Sequence, residues 1–216
     1  MKKYYLLSLL LTIPLLFSCS FNGIRGNGNI VNEEREISQF NKIDVSGRFD
    51  VDIEVGKSVS LVITAEDNLL KYIKTKVRNN TLIISSKENL RPRDDLVLKI
   101  TTPKLNEIDC SGANDLTIAN VKTDKFSIDL SGAGSIEING KARKFYIDIS
   151  GAADLDASEF IVEDVKIDIS GAASADVYAS KSLYAEVSGA SSIKLYGNAE
   201  DVKTDISGIG SFSRAE

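Results

Sequence analysis

The chain has 216 residues, of which 43% are hydrophobic and 26% are charged, and it contains neither histidine nor tryptophan. This length and composition fit one domain with a sizeable core, and they exclude a disordered, collagenous or polytopic membrane chain. The lack of histidine removes the usual general base and the commonest transition-metal ligand. With 26 basic and 31 acidic residues the net charge is -5, which argues against a nucleic-acid-binding surface.

Residues 1–18 have the pattern of a secretory signal peptide. Two lysines precede an apolar run over residues 4–16, which is too short to span a membrane. The sequence LFSC at residues 16–19 resembles a bacterial lipobox, which implies cleavage before Cys19 and attachment of lipid to that cysteine. We therefore predict a lipoprotein signal peptide over residues 1–18 and a membrane anchor at Cys19. An ordinary cleaved signal peptide is the alternative.

A tether and a less regular region come next. Residues 19–29 (CSFNGIRGNGN) are predicted to be a flexible tether because glycine and asparagine are frequent there. The sequence DNLLKYI predicts one short helix, with Asp67 as its cap, and Asn79-Asn80 predicts a hairpin turn. Strand-like runs occur at 43–55, 58–65, 74–77, 81–85 and 96–101. We expect residues 30–107 to be the irregular N-terminal cap of a single domain.

The rest of the chain, residues 108–216, is an internal repeat. A Ser-Gly pair recurs near the centre of each copy, and a remote first copy surrounds Ser46. The six later copies are separated by 18 to 20 residues, with their serines at Ser111, Ser131, Ser150, Ser170, Ser188 and Ser207. Apolar and polar residues alternate with period two inside each copy, which leaves room for three short strands per period and no helix.

Three strands per period of about 19 residues are typical of an all-β parallel β-helix, in which each turn stacks on the previous one. An antiparallel sandwich is the alternative fold. Cys110 falls where other copies carry Leu130 or Ile149, so we predict a core residue there and no reactive thiol. The last copy shows no obvious polar cap before Glu216, and an open solenoid end tends to pair, so a homo-oligomer is one hypothesis.

An acidic residue stands two positions before the serine of every copy, beginning with Asp44. In-register copies would align these carboxylates at about 4.8 Å on one outer face. Repulsion between them should raise some of their pKa values. We predict a candidate ligand or cation face from the six later members: Asp109, Asp129, Asp148, Asp168, Glu186 and Asp205. The alternative is a solvated acidic face without a ligand, and no metal site is predicted because calcium-binding glycine turns are missing.

A second polar row stands four positions after each serine: Asp50, Asp115, Ser135, Asp154, Ser174, Ser192 and Ser211. The even spacing leaves no long insertion to wall a catalytic cleft, so we predict no catalytic residue and no cofactor. A polysaccharide-active enzyme is the less favoured alternative. The tyrosines of the repeat region do not recur at one fixed place, which makes them a weak signal for carbohydrate contact: Tyr146, Tyr178, Tyr184 and Tyr196.

Three stretches of the chain resemble one known family. They are GNGNIVNEEREISQFNKIDVSGRFDVDIEVG at 26–56, LVITAEDNLLKYIKTKV at 61–77 and the reiterated IDISGA copies. They resemble the "putative auto-transporter adhesin, head GIN domain" family over nearly the whole mature chain. The resemblance implies a right-handed parallel β-helix, often placed behind a lipoprotein signal in Gram-negative envelopes.

These observations lead to one expected function and one competing class. We expect a non-catalytic, adhesin-like binding module of the cell envelope, lipid-anchored to the outer membrane, with a protein or a glycan as its partner. The competing class is a structural or self-assembling periplasmic envelope protein. Some lipoproteins bound for the outer surface carry acids directly after the lipidated cysteine, and residues 20–23 carry none. The absence of acids favours the periplasmic face of the outer membrane, and exposure on the cell surface is the alternative.

Overall fold

The computed structural model describes residues 23–215, and these form an all-β fold with one very short helix. The elements before the repeat are β1 (Ile24–Arg25), β2 (Ile30–Glu34), β3 (Lys42–Gly47), β4 (Asp50–Val55), β5 (Ser60–Glu66), α1 (Asp67–Leu70), β6 (Ile73–Arg78), β7 (Thr81–Ser86), β8 (Leu90–Arg91) and β9 (Val97–Thr102). The repeat contains β10 (Glu107–Ala113), β11 (Asp115–Gly189), β12 (Ser192–Tyr196), β13 (Asp201–Gly208) and β14 (Ser211–Arg214). The predicted all-β class is confirmed.

The copies of the repeat pair side by side, in parallel and in register. β10 lies between β3 and the first part of β11, so that Asp109 pairs with Asp44 on one side and with Asp129 on the other. At the other end, β11 pairs with β13, and Glu186 lies beside Asp205. The predicted parallel pairing of neighbouring copies is therefore confirmed. Antiparallel pairs among the described strands are confined to the N-terminal part, at β2–β5, β5–β9 and β6–β7.

The long segment β11 contains several copies of the repeat. Its first residues pair with β4 and its last residues pair with β13. Gly151 lies directly against the backbone of Gly132, one copy earlier. A Cβ atom added to Gly151, whose φ is +143°, would lie 2.0 Å from the Gly132 carbonyl oxygen. Only glycine combines this φ with so close an approach, which explains the recurring Ser-Gly pair.

The inward side chains of all copies form one continuous apolar core. Three phenylalanines stack inside the repeat: Phe145 lies 5.0 Å from Phe160 and 6.0 Å from Phe126 between ring centroids. Cys110 is a free cysteine with a buried side chain. On the neighbouring strands it lies opposite Leu130 and Val45, so the predicted core position is confirmed. Each fully buried phenylalanine of this stack stabilises the fold by about 1.5–3 kcal/mol.

The hairpin at Asn79-Asn80 is confirmed, and the helix is shorter than predicted. β6 and β7 pair antiparallel, and the two asparagines have φ values of 50° and 61°, as a two-residue hairpin requires. α1 ends at Leu70, and β6 begins three residues later. Asp67 does not cap the helix, because Glu66 is the N-cap residue and makes no side-chain capping bond. The Asp67 carboxylate instead accepts bonds from the side chains of Asn27 and Asn29.

Residues 24–29 are attached to the rest of the fold, whereas the sequence predicts a flexible tether over residues 19–29. The Ile24 amide donates to the Asn89 carbonyl at 2.8 Å, and the Gly28 amide donates to the Glu66 carboxylate at 2.9 Å. A buried carboxylate needs donors, and this segment supplies one of them. The predicted signal peptide and Cys19 lie outside the described residues. No helix between residues 23 and 215 is long and apolar enough to cross a membrane.

Candidate functional site

The predicted row of carboxylates forms one outward face of the repeat. We call this surface the acidic ladder: Asp44, Asp109, Asp129, Asp148, Asp168, Glu186 and Asp205. The strand registers place Asp109 between Asp44 and Asp129, and Glu186 beside Asp205, on neighbouring strands about 4.8 Å apart. Asp148 and Asp168 line the same groove as Asp109 and Asp129. The backbones of the ladder residues belong to strands whose alternate side chains fill the core, so the carboxylates point outward for the same reason that the isoleucines point inward. The predicted alignment is confirmed, and ligand binding by it stays a prediction.

A shallow groove follows the ladder across four copies. The groove is lined on one side by the carboxylates of Asp109, Asp129, Asp148 and Asp168. Its other side is the row of residues two positions earlier in each copy, which is chemically mixed: Glu107, Ser127, Tyr146 and Lys166. The groove therefore offers carboxylate acceptors, one cation and one aromatic ring to the same bound molecule.

Burial and neighbouring negative charges raise the pKa of one ladder residue. Burial raises the pKa of the Asp109 carboxyl above its ordinary value, and the negative charges of Glu107, Asp129 and Asp44 raise it further. The predicted repulsion is therefore present at Asp109, although burial is the larger cause. Such a carboxyl holds its proton at a higher pH than a free aspartate does.

The tyrosines of the repeat occupy two different positions of the copies rather than one fixed place, and each position forms a row. Tyr178 pairs with Tyr196 across two strands. Tyr146 and Tyr184 both stand four positions before a repeat serine, two copies apart, and belong to the row beside the ladder. Tyr184 is 39% exposed, and its hydroxyl donates to the Glu186 carboxylate at 2.5 Å. Counting from each serine would have revealed both rows.

Lysines lie over the rings of this tyrosine row. The Lys125 ammonium is 4.6 Å from the centre of the Tyr146 ring, and the Lys166 ammonium is 5.6 Å from that of Tyr184. A cation at these distances is attracted to the ring face. The rings are therefore held in position beside the carboxylates, and Tyr146 lines the groove itself.

Members of the second polar row form hydrogen bonds with one another. The Ser135 amide and hydroxyl both donate to the Asp115 carboxylate, at 2.9 and 2.6 Å, and the Ser174 hydroxyl donates to Asp154. Hydroxyl donors thus alternate with carboxylates along part of the row. These contacts join successive copies, so the row stabilises the stack.

Neither a metal centre nor a reactive thiol stands out in the described part of the chain. Between residues 23 and 215, no group of three or more acidic or cysteine side chains is arranged to hold a metal ion. The ladder carboxylates lie in a line, whereas calcium needs six to eight oxygens around one point. Burial raises the pKa of the Cys110 thiol to about 11, so the thiol is protonated at neutral pH.

The fold and the site define a repeat β-protein that presents an ordered polar face. The chain belongs to the family described as "Putative auto-transporter adhesin, head GIN domain", whose model matches residues 39–199. The resemblance noted from the sequence motifs is thereby confirmed. A comparison with curated protein sequences finds no match.

Several solved structures are similar to this fold. A "putative adhesin" from Bacteroides fragilis is 22% identical, covers 89% of this chain and 100% of its own, and has a TM-score of 0.72. A "putative adhesin" and a "putative lipid binding protein", both from Parabacteroides distasonis, are each 20% identical and cover 89% of this chain and 99% of their own. Their TM-scores are 0.51 and 0.50. At these identities the likeness concerns the fold alone.

Proposed function

We propose that this protein is a non-catalytic, adhesin-like binding module of the cell envelope, and that its acidic ladder contacts the partner. One observation carries the proposal. Carboxylates aligned in register share a groove with Tyr146 and Lys166. Such a row can accept hydrogen bonds from sugar hydroxyls or pair with cations of a protein, and a tyrosine ring can stack on a sugar. The family description as an adhesin agrees with a binding role.

The ladder is tested by neutralising it without changing its shape. The triple variant Asp129→Asn, Asp148→Asn, Asp168→Asn should lose at least tenfold in affinity for whichever envelope glycan or matrix protein the wild type binds. The matched control Asp124→Asn, Glu137→Gln, Glu159→Gln removes the same charge from exposed positions outside the ladder. An equal loss of affinity in both variants would show that only the net charge matters, and it would contradict the proposal.

The proposed architecture is a right-handed parallel β-helix with turns of about 19 residues. Support comes from the parallel registers one copy apart and from the contact of Gly151 with Gly132. Deletion of one whole copy, residues 150–169, joins Ile149 to Ser170 and should leave a cooperative fold. Deletion of residues 150–159 breaks the period and should abolish cooperative urea unfolding. Similar behaviour of the two deletions would contradict a solenoid.

The proposed attachment to the outer membrane is through lipid on Cys19. The lipobox-like sequence LFSC supports it. In cells, radioactive palmitate should label the wild type, and Cys19→Ser should abolish the label and move the protein from the detergent phase to the aqueous phase. A labelled Cys19→Ser variant would contradict anchoring at this residue.

The side of the membrane decides between an adhesin and a periplasmic role. We expect an external protease to cleave an adhesin on intact cells, with permeabilised cells as the control. Protection until permeabilisation would contradict the adhesin role. It would favour the second candidate, a structural or self-assembling periplasmic protein.

A specific observation favours that second candidate. Ile209 is 87% exposed, and Val202, Ile206 and Phe212 on the last described strands are only partly buried. An apolar group of this kind commonly marks a contact between chains. Sedimentation of the wild type should then show an oligomer that Ile209→Asp dissociates. A monomeric wild type would contradict self-assembly.

A further inference from the structure

We infer that the N-terminal end of the fold docks on the anionic surface of the membrane that carries the anchor. We call this surface the anchor end, and it consists of residues 23–29, α1 and β6. The repeat and its acidic ladder would then extend away from the bilayer toward the partner. The inference rests on the proposed lipid at Cys19, and the experiments below are chosen to be separable from it.

Few residues separate the proposed lipid site from the first described strand. After Cys19, only residues 20–23 precede Ile24, whose amide is bonded to the Asn89 carbonyl. A chain of this length reaches at most about 17 Å when fully extended. A lipid on Cys19 therefore holds β1 and the neighbouring β8 close to the bilayer surface.

Residues 24–29 lead from this point onto the helix. The Asn68 side chain donates to the Arg25 carbonyl at 2.9 Å, and the Asn27 side chain donates to the Asp67 carboxylate at 2.6 Å. The Asp67 carboxylate also accepts a bond from Asn29 at 2.8 Å. α1 is separated from β6 by two residues, so the docked segment and β6 belong to the same end of the molecule.

β6 gives this end its charge. It is an edge strand of the described sheet, and its exposed side chains are Lys74, Lys76 and Arg78. Within residues 23–215 none of the three has an ion pair with a carboxylate. An anionic lipid surface attracts cations of this kind.

Acidic residues at the same end offset part of this charge. Glu66 is fully buried, whereas the Asp67 carboxylate stays ionised because the bonds from Asn29 and Asn27 lower its pKa. β2 adds Glu33 and the exposed Glu34, and the loop 87–95 contains three basic and three acidic residues. The three cations of β6 therefore form a local positive group within an end of mixed charge.

The first member of the acidic ladder lies slightly more than one screening length from the edge strand. Across the sheet, Lys76 is followed by Ile83 on β7 and then by Asp44, the first ladder member. Two strand spacings amount to about 9.6 Å, whereas the screening length is about 8 Å at physiological ionic strength. A bilayer beside the edge strand would therefore attract these cations more strongly than it repels the ladder, and this difference favours a repeat that extends away from the surface.

Another group of cations provides the matched control. Lys122, Lys141 and Arg143 line a groove along successive copies of the repeat, away from the docked segment. They match the three β6 residues in number and charge. Reversing either set changes the net charge by the same amount, so only position distinguishes the two variants.

The first experiment measures partition onto vesicles with the lipid supplied chemically. A single myristoyl chain is coupled through maleimide to Cys19 of the mature chain, carrying Cys110→Val to remove the second thiol. One such chain gives marginal, reversible binding, so added contacts become measurable. We compare vesicles of phosphatidylcholine containing 30% phosphatidylglycerol with vesicles of pure phosphatidylcholine.

On the anionic vesicles, Lys74→Glu, Lys76→Glu, Arg78→Glu should weaken partition at least tenfold, since each cation near such a surface contributes about fivefold. Lys122→Glu, Lys141→Glu, Arg143→Glu should weaken it less than threefold. On pure phosphatidylcholine all three proteins should partition alike. Equal weakening by both variants, or no preference of the wild type for anionic vesicles, would overturn the inference.

The second experiment measures orientation. Because the chain has no tryptophan, a single introduced tryptophan is a clean reporter. Fluorescence of Lys71→Trp, beside α1, should be quenched by spin-labelled lipid headgroups, and that of Ser213→Trp on β14 should not. Equal quenching, or quenching of the β14 reporter alone, would overturn the inference. Failure of palmitate labelling in cells would count against the anchor at Cys19, whereas failure here counts against the orientation.

Discussion

The two halves of the molecule are held together in different ways. In the repeat, identical positions of successive copies stack, and backbone pairing, glycine contacts and the phenylalanine stack supply the cohesion. In the N-terminal part, individual polar groups join distant segments. Arg35 donates to the carbonyls of Leu70 and Ile73, and Glu66 accepts bonds from the amides of Gly28 and Arg93.

This difference predicts different responses to mutation. A defect in one copy of the repeat destabilises the copies on both sides, because each copy packs against its neighbours. A defect in the N-terminal part removes one attachment and leaves the stack intact. Three variants test this contrast, from the largest expected effect to the smallest.

Gly151→Val should be the most damaging of the three. The new Cβ would meet the Gly132 carbonyl oxygen at 2.0 Å, at a φ of +143° that valine does not tolerate. We expect a loss of more than about 4 kcal/mol in the free energy of unfolding by urea, or failure to fold. Gly56→Ala is the control, since Gly56 has a φ of +100° with nothing within 4 Å of its added Cβ. It should cost about 1–2 kcal/mol, and equal losses would contradict backbone stacking as the cause.

Glu66→Ala should loosen the N-terminal segment without melting the repeat. The amides of Gly28 and Arg93 would lose their acceptor in a buried place, at a cost of about 1–3 kcal/mol. Hydrogen exchange should accelerate at residues 24–29 and stay unchanged in β11. Glu66→Gln keeps one acceptor oxygen and should show a smaller change. Acceleration throughout β11 would mean that the two halves are not independent.

Asp109→Asn should produce the smallest effect, and one that depends on pH. The folded pKa of Asp109 is raised, chiefly by burial, so the folded state binds its proton more tightly than the unfolded state does. Stability from this group is therefore present at low pH and is lost as the pH rises from the ordinary value of 3.8 through the raised pKa. The variant should be slightly more stable than the wild type at pH 7, by less than about 1 kcal/mol. A variant less stable at pH 7 than at pH 3, relative to wild type, would contradict this sign.

The repeat is also where sequence and structure agree most closely. Alternation with period two and copies spaced by 18 to 20 residues predict the strands, their parallel pairing and the place of Cys110 in the core. The acidic ladder follows from the same pattern, because in-register copies align equivalent residues. Only the two tyrosine rows were missed, although their distances from the repeat serines reveal them.

The N-terminal part was less predictable because its contacts join residues far apart in the chain. Nothing near Asp67 shows that Asn27 and Asn29 will occupy its carboxylate, so a helix cap was the natural interpretation. Gly26 and Gly28 are typical of a flexible linker in the sequence. In the fold, Gly26 lies against the Glu66 carboxylate, and the Gly28 amide donates to it. The length of α1 was misjudged for a similar reason, since β6 pairs with β7 from Ile73 onward.

The sequence by itself determined the all-β class, the copies, their outward carboxylates and the apolar core, because these depend on local periodicity that repeats along the chain. The tertiary structure alone decided that residues 24–29 are docked, that the cations of β6 form an edge, and that both lie at one end of the sheet. Those features depend on contacts between segments about 40 residues apart, such as Asn27 with Asp67. No local pattern encodes such a pairing, so only the folded chain reveals it.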